Sequence, residues 1–154
     1  MGKEIERKFL VRGDDWRSLA QGIPCRQGYI NSADERTVRI RTIGEEAFLT
    51  IKGPTMGASR AEYEYEIPLK DGNEMLETLT EKPIIEKKRY RIPFAGLTWE
   101  IDEFFGDNAG LIVAEVELES EGQIFQKPDW AGEEVTGDPR FFNSNLIRNP
   151  YALW

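Results

Sequence analysis

The sequence predicts a mostly β fold, and three observations carry that prediction. Charged or polar residues recur at every second position in run after run. The positions between them are apolar, and short clusters of Gly, Pro, Asn and Asp separate the runs. Strand side chains alternate between faces, so a period of two puts the charges of each run on one face, about 7 Å apart, and the apolar residues on the other. The first run sets the pattern: Glu4, Glu6 and Lys8 share a face opposite Ile5, Phe9 and Val11.

The elements follow in order. Residues 3–12 are the first strand. Gly13-Asp14-Asp15 caps a short helix, Trp16 to Gln21, which Gly22 and Pro24 end. Cys25 to Ile30 is a strand carrying Tyr29, and Asn31 to Asp34 is a turn. Thr37 to Thr42 sets Arg39 and Arg41 against Val38 and Ile40. Gly44-Glu45-Glu46 is a hairpin turn into Ala47 to Lys52, where Thr50 and Lys52 oppose Leu49 and Ile51. Beyond the loop of Gly53 to Ser59, Glu62, Glu64 and Glu66 oppose Tyr63, Tyr65 and Ile67. Asp71 to Glu81 is a helix with Met75, Leu76 and Leu79 on its buried side, and Pro83 stops it. Ile85 to Ile92 carries Lys87, Arg89 and Arg91. The other register, with Lys88 and Tyr90 in their place, would remove Tyr90 and Ile92 from the apolar face. Leu97 to Phe104 sets Glu100 and Asp102 against Trp99 and Ile101. Leu111 to Glu119 sets Glu115, Glu117 and Glu119 against Val116 and Leu118. Pro128 opens a short helix. Asp138 as N-cap, with Pro139 at the first helical position, opens another over Arg140 to Leu146. The sum is roughly eight strands and three or four short helices. No repeat or linker divides them, so one domain over 1–154 is expected.

Composition narrows the chemistry. At 154 residues, 40% apolar and 31% charged, the chain fits a soluble globular protein. No apolar run nears the roughly 20 residues of a membrane-spanning helix, and the first residues lack the apolar core of a signal peptide. A cytoplasmic protein with no membrane partner is expected. The single cysteine, Cys25, forms no intrachain disulfide and suits a reducing compartment. There is no histidine, which excludes imidazole bases and imidazole metal ligands. Any metal must be held by oxygen, which selects Mg²⁺ or Mn²⁺. A net charge of −8 argues against nucleic-acid partners.

The charges are also sorted by sign from strand to strand. Arg39, Arg41, Lys52, Lys87, Arg89 and Arg91 lie on cationic strands. Glu4, Glu6, Glu62, Glu64, Glu100, Asp102, Glu115 and Glu117 lie on acidic ones. Any one stripe reads as a solvated sheet face, but an ordinary solvated face mixes the signs. Two arrangements satisfy the set. In a sandwich or half-open sheet the apolar faces meet and the charges face water. In a closed barrel the charges point inward and short helices cover the outside. Buried charge is costly unless paired or bound to ions. A barrel lined this way fits a polyanion bound together with divalent cations.

The ordered motifs make this specific. Glu4-Ile5-Glu6-Arg7-Lys8 resembles the ExExK signature of the CYTH family, the triphosphate tunnel metalloenzymes. Arg39-Ile40-Arg41, Thr50-Ile51-Lys52, Glu62-Tyr63-Glu64, Lys87-Lys88-Arg89, Glu100-Ile101-Asp102 and Glu115-Val116-Glu117 follow in that family's order. ExExK alone is a weak pattern; the ordered set, over nearly the whole chain, is strong. The resemblance implies a closed eight-stranded antiparallel tunnel with a charged interior. It implies divalent-metal-dependent hydrolysis of a triphosphate, or cyclisation of ATP. The ending from Trp130 to Asp138 resembles small bacterial members that cleave inorganic tripolyphosphate and carry a C-terminal helix at one tunnel mouth, for which Arg140 to Leu146 is the candidate.

Roles follow as expectations. Glu4, Glu6, Asp102, Glu115 and Glu117 are the metal ligands; five carboxylates exceed the needs of one Mg²⁺, so two ions are expected. Lys8, Arg39, Arg41, Lys52, Lys87 and Arg89 grip phosphates. Glu62 and Glu64 support these cations or join a metal site. Proton transfer falls to Lys87, with Tyr29 beside it, or to water steered by Glu117. Glu66, Arg91, Glu100 and Glu119, at strand ends, are read as solvent-facing. Ser144 and Asn145 are read as helix surface that could reach substrate. Trp130, Phe141, Phe142 and Trp154 pack on the barrel or form a dimer contact. Within the same fold the alternatives are a thiamine triphosphatase or a class IV-type adenylate cyclase. Outside it stand a polyphosphate-binding module without turnover and an acidic sandwich adaptor. The protein is expected to be a monomer or homodimer.

Overall fold

The computed structural model describes residues 2–33 and 35–154. Of the turn expected over Asn31 to Asp34, Asp34 lies outside the described residues. The strands are β1 (Lys3–Val11), β2 (Ile23–Asn31), β3 (Thr37–Ile43), β4 (Glu46–Lys52) and β5 (Ser59–Ile67), followed by helix α1 (Leu69–Thr78). Then come β6 (Ile85–Phe94), β7 (Leu97–Phe104), β8 (Ile112–Glu117), β9 (Ala131–Glu134) and a one-turn helix, α2 (Asn143–Leu146).

Eight of these strands close into an antiparallel barrel. The order runs β5-β4-β3-β2-β6-β7-β8-β1, and β1 returns to β5 through Lys3–Ala61, Glu4–Arg60 and Ile5–Ser59. Closure removes the free edges that an open sheet would leave. β1 is the seam. Glu6 to Leu10 pair with β8 on one edge, while Phe9 and Val11 pair with β9 on the edge that β5 has left.

The hairpins are written locally. Gly44 opens the two-residue β3–β4 turn at a positive φ of 58°. Ala95 and Gly96 join β6 to β7 with φ values of 49° and 85°, as a turn matching the right-handed twist of the strands requires. Registers set by these turns put Arg39 opposite Thr50 and Arg89 opposite Asp102, and the long-range pairing of β1 with β8 puts Glu6 opposite Glu117 and Lys8 opposite Glu115. Cross-strand partners share a face, so all of these point into the barrel.

The outer face is covered in patches. Phe9, Trp99, Ile101 and Val116 pack under Phe125 and Trp130 of the segment leading to β9, with Trp99 and Trp130 ring centroids 5.5 Å apart. Trp16 is fully buried against Tyr90. α1 covers β3 and β4 so closely that a Cβ on Gly72 would sit 2.7 Å from that of Ala47. Beyond the reach of α1 part of the outer face of β4 and β5 is uncovered: Ile51, Tyr63 and Tyr65 are exposed, against the expectation that every apolar stripe would be covered.

Other expectations shift. Trp16 to Gln21 is a single 3-10 turn at Asp15–Ser18, not an α-helix. α1 begins and ends earlier than expected, so Leu79 falls beyond it and is exposed. Pro128 opens a turn, not a helix, because the chain that follows is drawn into β9 beside β1. The C-terminal helix is a 3-10 turn, Pro139–Phe141, and then α2, with extended Phe142 between them. The cap itself is as read: the Asp138 side chain accepts from the Arg140 backbone N–H, with Pro139 following.

Candidate active site

Inward side chains from β1 to β8 surround a cavity of about 230 Å³. Lys8, Arg39, Arg41, Lys52, Lys87 and Arg89 line it, together with Glu4, Glu6, Glu62, Glu64, Glu115, Glu117 and Tyr29. Asp102 does not. It lies beneath the wall, 2% exposed, with Arg89 donating to both its oxygens at 2.8 and 2.9 Å and Lys87 Nζ 2.8 Å from Oδ2. With both oxygens engaged, it stands here as the counter-ion of two cations. Arg91 is exposed, as read, and pairs at 3.0 Å with Glu100, which was also read as solvent-facing but is half-buried; both border the cavity. Glu66 and Glu119 are exposed, as read.

One side of the wall holds paired charge. Lys52 Nζ donates to both oxygens of Glu4, at 3.0 and 2.9 Å, and stands 3.5 Å from Glu62. Glu64 accepts from Thr50 at 2.8 Å and from Arg39 and Arg41 at 3.4 and 3.3 Å. Burial would raise the pKa of Glu4, but Lys52 overrides it and holds the group at about 2. Burial and the Glu4 charge push Glu62 the other way, to about 7.

Like charge is also left unrelieved in the wall. Burial, with Glu115 and Glu4 beside it, raises Glu6 well above the carboxylate range. Burial and the charges of Glu4 and Glu100 raise Glu117. Burial, Arg39 and Arg89 lower Arg41 to about 10. The Nε groups of Arg39 and Arg41 are buried without a hydrogen-bond partner. Crowded acids and under-paired guanidinium groups are what a site for cations and an anion leaves when its own side chains cannot satisfy it.

Among the described residues no three acidic side chains gather closely enough to hold a metal ion alone. The set still fits a hard cation of the Mg²⁺ kind, which takes one or two carboxylates and completes its shell with water and phosphate oxygen. Glu4, Glu6, Glu115 and Glu117 present such carboxylates to the cavity.

One end of the barrel is closed by hydrocarbon. The inward positions that follow the charged ones are Leu10, Ile85, Phe104 and Val113. They pack with Tyr29 against Phe141, Leu146 and Ile147 of the C-terminal segment. That segment also presents Phe142, Asn143 and Ser144 to the cavity. Lys8 Nζ donates to the Phe141 carbonyl at 3.3 Å, with the Phe142 ring centroid 5.6 Å away. Asn145, read as helix surface, does turn outward and donates to the Pro139 carbonyl; Ser144, read the same way, is buried and lines the cavity, and its neighbour Asn143 reaches in beside it. Gln27 and Asn143 were not singled out from sequence. Gln27 had a signal, since it stands two residues from the inward Tyr29. Asn143 had none, because the break at Phe142 resets the helical phase. Trp154 packs on Phe141 and Trp130 on Trp99, so these aromatics cover the barrel itself.

Known proteins share this architecture. The chain is 58% identical over 151 residues to an inorganic triphosphatase of Acetivibrio thermocellus, covering 98% of this chain and 97% of that one. It is 43% identical to an inorganic triphosphatase of Nitrosomonas europaea over 148 residues, 93% of this chain and 95% of that one. The crystal structure of an inorganic triphosphatase superposes with a TM-score of 0.64 at 40% identity, covering 94% of this chain and 93% of that one. A Hippeastrum protein described as a putative adenylyl cyclase with dominant triphosphatase activity shares the fold at 16% identity, with a TM-score of 0.60. The CYTH domain model matches residues 2–148. With the tunnel, its charged lining and these matches in place, the chain belongs to the CYTH family.

Proposed function

We propose that this chain, acting as one tunnel unit over 1–154, hydrolyses inorganic triphosphate to pyrophosphate and phosphate with Mg²⁺ or Mn²⁺, in the cytoplasm. The observation that carries the reading is the 230 Å³ cavity ringed by eight basic side chains, with the Nε groups of Arg39 and Arg41 unpartnered inside it. That volume lies below the roughly 300–1,000 Å³ of sites for drug-sized ligands, and hydrocarbon closes one end. Both features favour a bare phosphate chain over thiamine triphosphate or a nucleotide. The acidic rank argues against a pure anion-binding module, which gains nothing from carboxylates facing its ligand.

Lys8, Arg39, Arg41, Lys52 and Arg89 bind the non-bridging oxygens, the arginines in bidentate fashion. Glu4, Glu6, Glu115 and Glu117 hold the divalent cations, which supply charge neutralisation to phosphate oxygens and acidify bound water. Asp102 keeps Lys87 and Arg89 in place. Glu64 does the same for Arg39 and Arg41. Burial and the neighbouring Arg89 lower the pKa of Lys87. In this reading its amine, which lines the cavity, accepts the proton of the attacking water as the new P–O bond forms and the anhydride P–O bond breaks. Tyr29 lines the cavity within reach of the same Gln27 side chain that meets the Lys87 surroundings.

The test is phosphate release from tripolyphosphate, pyrophosphate, ATP and thiamine triphosphate, each with Mg²⁺, Mn²⁺ or EDTA. Cleavage of tripolyphosphate that EDTA abolishes is expected. Preference for an organic triphosphate would replace the substrate, and turnover undiminished in EDTA would remove the metal.

A further inference from the structure

The Lys87 ammonium sits in a socket with two fixed walls. It is 3% exposed, and Asp102 Oδ2 lies 2.8 Å from Nζ. The second wall comes from a distant part of the chain: Asn143 Oδ1, at the start of α2, accepts from Lys87 Nζ at 3.0 Å. A lysine ammonium has three N–H donors in tetrahedral array. With two committed to Asp102 and Asn143, the third position, an N–H in the ammonium and the lone pair in the neutral amine, is left to the cavity that Lys87 lines.

The Asn143 oxygen is itself held. Gln27 Nε2 donates to it at 2.9 Å and stands 3.3 Å from the Tyr29 hydroxyl. Two donors fill both lone pairs of that amide oxygen, which leaves it no other orientation. The backbone beneath is anchored by Phe141, Leu146 and Ile147 in the hydrocarbon plug. Farther along, the Tyr151 N–H donates to Asn108 Oδ1 at 2.9 Å, and the Trp154 ring stacks edge-on against Phe141. The tail therefore does more than stop the tunnel end, since it carries the acceptor that completes the Lys87 socket.

From this geometry we infer that Asn143 is a positioning residue for Lys87, so that the docked C-terminal segment sets the direction in which the reactive amine faces the substrate. The inference rests on the hydrolase reading above. Misplacing a reacting group by about 1 Å costs on the order of 100-fold in rate while leaving binding by other groups intact. Substrate is gripped mainly by Lys8, Arg39, Arg41, Lys52 and Arg89, none of which Asn143 touches. Loss of its oxygen should therefore appear in kcat and not in KM.

Two measurements separate this from a structural role. In tripolyphosphate kinetics, Asn143→Ala is expected to lower kcat by roughly 10–100-fold with KM nearly unchanged. Asn143→Asp, which keeps an acceptor oxygen in place but adds a charge that favours the Lys87 ammonium, is expected to recover that loss as pH is raised. A loss in Asn143→Asp equal to that in Asn143→Ala at every pH, or a loss confined to KM, overturns the inference. The second measurement needs no turnover. In ¹⁵N-lysine-labelled protein, the Lys87 ammonium signal, identified by its absence in Lys87→Met, should be protected from solvent exchange in the unchanged protein and in Asn143→Asp. It should lose that protection in Asn143→Ala. Protection retained in Asn143→Ala overturns the inference. If the unchanged protein does not cleave tripolyphosphate, the hydrolase reading fails by itself, and the ammonium signal still decides whether Asn143 holds Lys87.

Discussion

The two ends of the barrel interior are built on the same inward stripes and carry opposite energetics. On β1 the stripe runs Glu4, Glu6, Lys8 and then Leu10; on β8 it runs back from Glu117 and Glu115 to Val113. On β7 Asp102 gives way to Phe104, and on β6 Lys87 gives way to Ile85. At the charged end, burial works against nearly every group, and several carboxylates raise one another's pKa. At the apolar end, burial is favourable and the tail adds to it. The charged end is a site held together by the rest of the molecule, and the apolar end is part of what holds it.

The contrast can be broken or sharpened in four ways. The largest effect is expected at the boundary. Asp102→Ala strips the main counter-ion from Lys87 and Arg89 in a closed interior and should cost about 3–5 kcal/mol in urea unfolding, with activity lost. A cost under about 1 kcal/mol would mean the two cations are satisfied without it. Next is the apolar end: Leu146, 1% exposed, truncated to Ala should cost about 3 kcal/mol. It should lower activity too, through the tail. Full activity in Leu146→Ala would separate the plug from the site.

The third is a pH effect at the charged end, measured in EDTA. Glu62 has a folded pKa raised to about 7, so its contribution is full below the ordinary carboxylate value near 4.5 and is lost as pH rises through 7. Glu4 has a folded pKa lowered to about 2, so its contribution is full above 4.5 and is lost as pH falls toward 2. Stability should therefore peak near pH 5 and fall toward pH 8 by about 1–2 kcal/mol, after allowance for the partial exposure of Glu62. Glu62→Gln should remove much of that fall. A decline of equal size in the variant would assign it to Glu6 and Glu117 instead.

The smallest stability effect is expected from Arg41→Met. Burial, Arg39 and Arg89 all disfavour the Arg41 charge, and its one carboxylate partner, Glu64, is shared with Arg39. Unfolding should change by about 1 kcal/mol or less, in either direction, while KM for tripolyphosphate rises at least several-fold. A large destabilisation would show that Arg41 serves the fold.

The charged strands were legible because a period of two is a local property, readable wherever strand length and hairpin turns agree. That is why Lys8, Arg39, Arg41, Lys52, Lys87 and Arg89 fall where the sequence put them. The helices were less legible. Trp16 and its neighbours carry an apolar pattern too short to propagate, and tertiary packing leaves only a 3-10 turn there. The segment after Pro128 reads as helix from its cap residues, yet the vacant edge of β1 recruits it as β9. Asp102 shows a further limit. Its parity was right, but parity does not report depth, and depth makes it a partner of cations rather than part of the cavity wall.

The sequence by itself determined the alternation of faces, the sorting of charge by strand, the hairpin at Gly44, and the ordered motifs of a tunnel. These are local or nearest-neighbour properties of the chain. Tertiary structure alone decided that β1 would trade β5 for β9 along one edge, that Leu10, Ile85, Phe104 and Val113 would meet the tail as a plug, and that Asn143 would reach Lys87. Those contacts join residues far apart in the chain, and no periodicity encodes them, because each depends on how barrel closure and strand tilt bring separate segments to one place.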